Sequence, residues 1–228
     1  MYVDINKQIK GIGLFQGLSA EKIKELTQQA IYKKFKPGEM VIGESDPIRS
    51  FYVVISGQLK LYRSSIDGKE QTLQLLEPGD PFGLCTAFAT DSFPASAMAI
   101  EDSAVLLIPG TVVEKIAKQE PVLLFNIIQI LSRRLKNSME LIESLALKEI
   151  PGRLASFLRL ESTKNKVDNN TTVKLTISQR ELAKILGATP EALSRALRKM
   201  ANDGIISTMG RVITILDYEM LEQLAEGE

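Results

Sequence analysis

The sequence contains no histidine and only one cysteine, Cys85, among its 228 residues. Without histidine, a Ser-His-Asp triad, a histidine general base and the usual haem ligand are excluded. Enzymes on a cupin-type β scaffold are excluded for the same reason, because their metal ligands are histidines. A single cysteine also excludes a disulfide within the chain and an all-cysteine zinc or iron–sulfur site within one chain. We therefore expect a protein that is not an enzyme.

Long apolar runs are also missing. The longest, such as residues 104–109 and 122–125, fall far short of the roughly 20 residues that cross a bilayer. The N-terminal segment MYVDINKQIKGIG lacks the basic start, the apolar run and the cleavage site of a secretion signal. Hydrophobic residues make up 44% of the chain and charged residues 25%, as is usual for globular proteins. We expect a cytoplasmic protein with no membrane partner.

The net charge is zero, with 28 cationic and 28 anionic side chains, but the charges are unevenly distributed. Residues 151–215 carry eleven Lys and Arg against five Asp and Glu. In contrast, no Lys or Arg occurs between Lys69 and Lys115. A basic C-terminal segment is typical of a module that binds nucleic acid.

Regular turn signals indicate β structure in the first part of the chain. From residue 15 to residue 110, Pro-Gly, Asp-Pro, Ser-Gly and Asp-Gly pairs recur about every ten residues. The β-rich runs between them are 40–42, 51–55, 58–63, 72–76, 97–100 and 104–108. Short strands at this spacing are typical of a sandwich, a barrel or a jelly roll. A helix over residues 19–30, with Ser19 as its N-cap, is predicted before them.

Residues 110–148 change to a helical period. Apolar residues fall at the a and d positions of consecutive heptads, with Ser138 as the one polar d residue. The apolar positions are Leu124, Ile128, Leu131, Leu135, Ile142 and Leu145. Such a face packs either against the β domain of its own chain or against a second copy. Because a helix this long reaches beyond a roll of this size, we expect part of the face to form a homodimer interface.

The segment TISQRELAKILGATPEALSRALRKM predicts two helices joined by a tight turn. Ser178 forms a capping box with Glu181, and Gly187 suits the left-handed position that follows a helix. Thr189 is the expected N-cap of the second helix, and Pro190 suits its first turn. Before this segment, Pro151 suits the start of another helix, predicted to end at Leu160, with a polar loop after it.

The second helix of this pair has a polar and cationic outer side. A helix-turn-helix inserts such a helix into the major groove, where arginine bonds to guanine and a carboxylate accepts from cytosine. After this helix, residues 205–207 and 212–215 predict a hairpin wing with Arg211 at its tip. Glu191 and Arg195 therefore address adjacent base pairs in this interpretation, and Arg198 and Arg211 address phosphate. The alternative is an ordinary helical hairpin with a solvated Glu–Arg pair. The DNA-binding candidates are Ser178, Gln179, Thr189, Pro190, Glu191, Ser194, Arg195, Arg198 and Arg211.

The whole chain resembles the CRP/FNR superfamily, the cyclic-AMP receptor protein and its relatives. The segments GLFQGLS, FKPGEMVIGESDP, FYVVISGQLKLYRSSIDGKE, EPGDPFG, PGRLASFL and GRVITILD occur in that family's order, with the helix-turn-helix between the last two. The resemblance implies an α+β fold: a jelly-roll effector-sensing domain of the cyclic-nucleotide-binding type (1–110), a dimerisation helix (111–149) and a winged helix-turn-helix (150–228). It also implies a transcription regulator that binds an inverted-repeat operator in double-stranded DNA, contacts RNA polymerase and responds to a small-molecule effector.

The sequence departs from this family at the residues that bind cyclic AMP. In the cyclic-AMP-binding members a glutamate follows the cassette glycine and an arginine precedes a later serine, whereas here Leu84 follows Gly83 and Ala95 precedes Ser96. Without a cation in the cassette, a cyclic phosphate loses its strongest bonds, so we expect no response to cyclic AMP. One cysteine also cannot hold the iron–sulfur cluster of the oxygen-sensing branch. In the recognition helix, Pro190 stands where family members often have arginine.

A weaker resemblance points to the nitric-oxide-responsive, haem-associated branch, through the T-P-E-x-L-S-R form and the ESLALKE segment, but the absence of histidine does not support it. An apolar cassette suits a hydrophobic effector or a haem better than an anion. The alternative is that these side chains are ordinary core. The effector-pocket candidates are Gly83, Leu84, Cys85, Phe88, Phe93, Ser96, Met98, Leu124 and Ile128. An effector-binding protein without a transcriptional role is the other functional interpretation.

Overall fold

The computed structural model of the protein describes residue 9 and residues 11–46, 50–84, 92–164 and 172–227. Cys85 and Phe88, two of the effector-pocket candidates, lie outside these residues. The chain divides into two units, Met1–Arg134 and Leu135–Glu228, and the boundary falls inside a continuous helix. Within the described residues, no helix is long and apolar enough to span a membrane.

The first unit begins with a short 3-10 helix, Gly13–Phe15, followed by helix α1, Ala20–Gln29. The Ser19 hydroxyl accepts a hydrogen bond from the Lys22 backbone N–H at 3.4 Å, which confirms Ser19 as the predicted N-cap. Helix α1 buries Ile23 and Leu26.

Eight strands of the first unit pair into two antiparallel four-stranded sheets, with the orders β1-β8-β3-β6 and β2-β7-β4-β5. The α+β fold class is therefore confirmed. The strands are β1 (Ile31–Phe35), β2 (Met40–Ile42), β3 (Ser50–Ser56), β4 (Leu59–Ser64), β5 (Glu70–Leu76), β6 (Pro81–Phe82), β7 (Ser96–Ala99) and β8 (Ser103–Pro109). The turn signals predicted six of them within two residues at each end, while β1 and β6 were not predicted.

Strands β3 and β8 are buried on both faces of their sheet. Successive side chains of a strand point to opposite faces. Tyr52 and Val54 accordingly join Val105 in a core shared with the second sheet. Phe51 and Leu106 point the other way, into a second core that helix α1 helps to form. One sheet thus separates two hydrophobic cores.

Two helices follow the roll, α2 (Gly110–Gln119) and α3 (Val122–Leu147), so the prediction of one helix over residues 111–149 is wrong in this respect. Pro121 explains the break, because proline disfavours a helical conformation at the residue before it. Glu120 is extended, with φ −126° and ψ 90°. Asn126 links helix α3 to the N-terminal segment, because its side-chain amide donates to the carbonyls of Leu14 and Gln16 at 2.8 and 2.9 Å.

The second unit combines the C-terminal half of α3 with four helices and a small sheet of order β10-β11-β9. These elements are α4 (Ile150–Lys164), β9 (Thr172–Lys174), α5 (Gln179–Ile185), α6 (Pro190–Asn202), β10 (Ile206–Met209), β11 (Val212–Ile215) and α7 (Tyr218–Glu226). Helix α4 extends beyond the predicted end at Leu160 into the segment expected to be a loop. Leu154 and Leu158 of α4 are fully buried, as are Leu193 and Leu221.

Replacing Leu106 by alanine should lower the free energy of unfolding by about 2–5 kcal/mol, because the change removes a fully buried side chain and leaves a cavity in the core. Urea denaturation of the purified protein measures the change. Leu73→Ala, at a strand residue that is 42% exposed, is the matched control and should cost clearly less. Equal losses for the two variants would contradict the assignment of Leu106 to the core.

Candidate nucleic-acid interface

Hydrogen bonds at the helix ends hold α5 and the turn after it. The Ser178 hydroxyl accepts from the Glu181 backbone N–H at 3.2 Å, so Ser178 is the N-cap of α5, as predicted. Gly187 adopts φ +60° just after the helix, and the Ala188 N–H bonds back to the Ala183 carbonyl at 2.9 Å. This left-handed glycine reverses the chain within a few residues and starts α6 beside α5.

Helix α6 begins as the sequence predicts. The Thr189 hydroxyl accepts from the Ala192 N–H at 3.2 Å, and Pro190 occupies the first helical position. One side of α6 is buried through Leu193, Ala196, Leu197 and Met200. The opposite side carries the exposed residues Glu191, Ser194, Arg195, Arg198, Lys199 and Asn202. The helix therefore presents a continuous polar surface, which is cationic over its second and third turns.

Strands β10 and β11 form the predicted wing beyond α6. Gly210, with φ +61°, makes the turn between them, and Arg211 is exposed beside it. Strand β9 pairs with the other edge of β11, and the Leu175 N–H donates to the Arg211 carbonyl at 2.8 Å. The backbone of Arg211 is thus fixed while its side chain stays accessible.

A cavity of about 460 Å³ flanks α6 on the side of the α3–α4 link. The cations that line it are Arg195 and Lys199 from α6, and Lys148 and Arg153 from the link and α4. Lys148, Arg153 and Lys199 were not among the predicted candidates. Sequence position alone does not show which segment folds against α6, although the helical spacing of Lys199 from Arg195 was a usable signal.

The apolar effector-pocket candidates that the structure describes do not line a single pocket surface. Leu84 belongs to the core on the helical side of the first sheet, whereas Phe93 belongs to the core between the sheets. Met98 lies between Ala97 and Ala99, which are both in that inner core, so alternation places Met98 on the outer face of its sheet. The Ser96 hydroxyl accepts from the Glu44 N–H at 3.1 Å.

Aromatic side chains occupy the space between the two sheets. The Tyr52 and Phe82 rings stack with centroids 4.8 Å apart and an interplanar angle of 17°, and Phe93 meets Phe82 edge-on at 6.4 Å. Gly83 follows with φ +79°, and a Cβ there would lie 2.7 Å from the Ser50 carbonyl oxygen. This crowding explains why glycine occupies position 83.

A cation reaches the cassette from a distant part of the sequence. The Arg134 guanidinium, on α3, donates to the Pro81 carbonyl two residues before Gly83. The segment itself contains none, but the fold supplies one.

The heptad face of α3 is exposed in the single chain. Five of its six apolar residues, Leu124, Ile128, Leu131, Leu135 and Ile142, are between 41% and 66% exposed, and Leu145 is half-buried. The buried residues of α3 are instead Leu123 and Ile127, next to this face. Among the described residues, the predicted seam is therefore mostly uncovered.

Comparison with known proteins identifies the family. A cyclic nucleotide-binding domain matches residues 32–120, and a Crp-like helix-turn-helix domain matches residues 152–224. The fumarate and nitrate reduction regulatory protein of Vibrio cholerae is 31% identical over 211 residues, which are 91% of this chain and 84% of that protein. The chain belongs to the CRP/FNR family of transcription regulators. It is therefore a DNA-binding regulator, and α5 and α6 are the helices of its helix-turn-helix.

Two further CRP/FNR relatives cover nearly the whole chain. The CRP-like cAMP-activated global transcriptional regulator of Mycobacterium tuberculosis is 28% identical over 215 residues, with 93% of this chain and 96% of that protein covered. The structure of FixK2 from Bradyrhizobium japonicum is also 28% identical, has a TM-score of 0.75, and covers 86% of this chain and 96% of its own. The names of these relatives point to different signals, so membership of the CRP/FNR family does not assign the effector.

No group of three or more Cys, Asp and Glu side chains within the described parts of this CRP/FNR regulator is arranged to hold a metal ion. The titratable group that stands out on α6 is Glu191. Its own backbone N–H, the Thr189 hydroxyl and the charge of Arg195 together hold the pKa of the Glu191 carboxyl below its usual value. Glu191 is therefore ionised at neutral pH and acts only as a hydrogen-bond acceptor.

Carboxyl-carbon NMR should show the pKa of Glu191 below the ordinary glutamate range. Because the lowered pKa reflects stabilisation of the ionised form in folded α6, this contribution is present at neutral pH and is lost as the pH falls through the lowered pKa. Thr189→Val should raise the pKa part of the way back, since the backbone N–H remains. Ser178→Ala, which removes the equivalent cap of α5, is the control. An unchanged Glu191 titration in Thr189→Val would contradict this account of the N-cap.

Proposed function

We propose that this CRP/FNR regulator binds an inverted-repeat operator as a homodimer, with α6 in the major groove, in response to an effector other than cyclic AMP. The observation that carries the proposal is the exposed polar face of α6, held by capped helix ends, in a chain whose α3 face is apolar and uncovered. A two-fold dimer presents two such helices to successive major grooves about 10 bp apart.

Base readout is assigned to Glu191 and Arg195. They lie one turn apart on the exposed face of α6, opposite the buried Leu193 and Leu197. The arginine fork matches O6 and N7 of guanine, and the ionised carboxylate accepts from N4 of cytosine. Their spacing suits neighbouring base pairs.

Phosphate contacts are assigned to the residues around this pair. Arg198 extends the exposed face of α6 by a turn, and Arg211 stands at the tip of the wing. The N-termini of α5 and α6 add backbone donors and the positive end of the helix dipole. The residues at these N-termini are Ser178, Gln179, Thr189 and Pro190, and Ser194 lies one turn further along the exposed face of α6.

The homodimer is assigned to the heptad face of α3. A row of large apolar side chains along several helical turns is unfavourable in water, and pairing with the same face of a second copy buries it. The a and d spacing is that of a two-stranded coiled coil. Leu135 and Ile142 lie in the second unit, so dimerisation there joins the two helix-turn-helix units directly.

The residues of the cassette do not suit cyclic AMP as the effector. Leu84 is buried in place of the glutamate that holds a ribose, and three aromatic rings fill the space between the sheets. Both features argue against cyclic AMP, although Arg134 supplies one cation nearby. Because the regulator acts on an operator, we expect it in the cytoplasm, with RNA polymerase as a partner.

Leu131→Glu combined with Leu135→Glu should convert the dimer into monomers, because the paired helices would then hold like charges at their interface. Sedimentation velocity distinguishes the two masses. Leu147→Glu, at an exposed residue of α3 outside the a and d positions, should leave the dimer intact. A double variant that stays dimeric would place the interface elsewhere.

Arg195→Ala should cost about 1–3 kcal/mol per half-site and relax the preference at one base pair, because it removes a base contact. Arg211→Ala should weaken binding to all sequences alike and reduce the salt dependence, because it removes a phosphate contact. Selection of binding sites from random DNA measures both effects. If Arg195→Ala selects the wild-type consensus with equal stringency, Arg195 does not read bases.

A further inference from the structure

The Arg153 guanidinium joins three segments of the second unit. Its Nε donates to the Lys148 carbonyl at 2.9 Å, its Nη1 to the Leu186 carbonyl at 3.0 Å, and its Nη2 to the Leu145 carbonyl at 2.9 Å. Leu145 is in the last turn of α3, Lys148 is in the link to α4, and Leu186 is the C-cap of α5. One side chain thus bonds to the dimerisation helix, the link and the helix-turn-helix.

The three acceptors suit a cation. The last carbonyls of a helix have no partner within it, and the C-terminal end of a helix carries partial negative charge. The Arg153 guanidinium, which is cationic and has several donors, bonds to such carbonyls at the C-terminal ends of α3 and α5. Its planar fork of donors fixes the directions of the three bonds, which a lysine ammonium on a flexible stem does not do. The nearby Lys148 ammonium bonds instead to the Ser156 hydroxyl, at 3.1 Å.

Arg153 lies between two concave surfaces of the second unit. It lines the 460 Å³ cavity beside α6 and a second cavity of about 610 Å³ between α3, α4 and α7. Its hydrogen bonds to Leu145 and Leu186 link the end of α3 directly to the end of α5.

We propose that Arg153 is a positioning residue that sets the angle between the dimerisation helix and the helix-turn-helix, and through it the separation of the two recognition helices in the dimer. The proposal rests on the proposed function. Leu186 directly precedes Gly187, the residue that starts the turn into α6, so a shift at Leu186 moves the start of α6. Arg153 itself needs no contact with DNA in this role.

The test measures binding of the full-length protein to operators whose half-site centres are about 8 to 12 bp apart, around the one-turn spacing of 10 bp. The wild type should prefer one spacing sharply. Arg153→Lys and Arg153→Gln should flatten this preference by roughly tenfold, the equivalent of one hydrogen bond to a charged group. Binding to an isolated half-site should not change, because α6 is intact. A variant that lost only stability would not show this selective loss.

Arg159→Gln is the matched control. Arg159 lies on the same helix, and its guanidinium makes no hydrogen bond or ion pair within the described residues, so its spacing profile should equal that of the wild type. If the Arg153 variants keep the sharp wild-type profile, the positioning role is overturned while the proposed function stands. If the wild type itself has no preferred spacing, the dimeric readout is overturned and the role of Arg153 with it. Arg153→Lys serves where Arg153→Gln does not fold.

Discussion

Burial of β3 and β8 on both faces is the constraint on which the first unit depends. Their alternating side chains supply one core between the two sheets and another beneath the helices, so neither core forms without these strands. Helices α1, α2 and the start of α3 cover the second core, and α3 runs on with an apolar face that its own chain leaves exposed. The proposed dimer is the consequence, because that face needs a partner.

In the second unit, hydrogen bonds at helix ends position the helices of the helix-turn-helix. Ser178 and Thr189 cap the two helices of the helix-turn-helix, and the left-handed Gly187 turns the chain between them. Arg153 adds the bonds that join this pair to α3. Each of these groups acts at a chain end or a turn, where a small change in angle moves a whole helix. The orientation of α6 therefore depends on these polar contacts as well as on its buried side chains Leu193, Leu197 and Met200.

Local signals predicted much of this fold, and distant contacts account for the rest. The cap residues, the glycine turn and the apolar spacing of α6 are adjacent in sequence, so the helix-turn-helix was predictable in detail. Strands β1 and β6 were missed because Ile31–Phe35 has little apolar alternation and Pro81–Phe82 is only two residues long. The effector cassette was predicted least well. The faces of Leu84 and Phe93, and the approach of Arg134 to Pro81, depend on how separate strands and α3 come together, which no local pattern records.

In the proposed function, a dimer of this CRP/FNR regulator reads DNA with two copies of α6. The most direct measurement is a footprint on genomic fragments enriched by the purified protein. The enriched fragments should share an inverted repeat, protected at two successive major grooves on one side of the duplex, with half-site centres about 10 bp apart. Enriched fragments without a repeat, or protection of a single half-site at concentrations where the protein is dimeric, would contradict it.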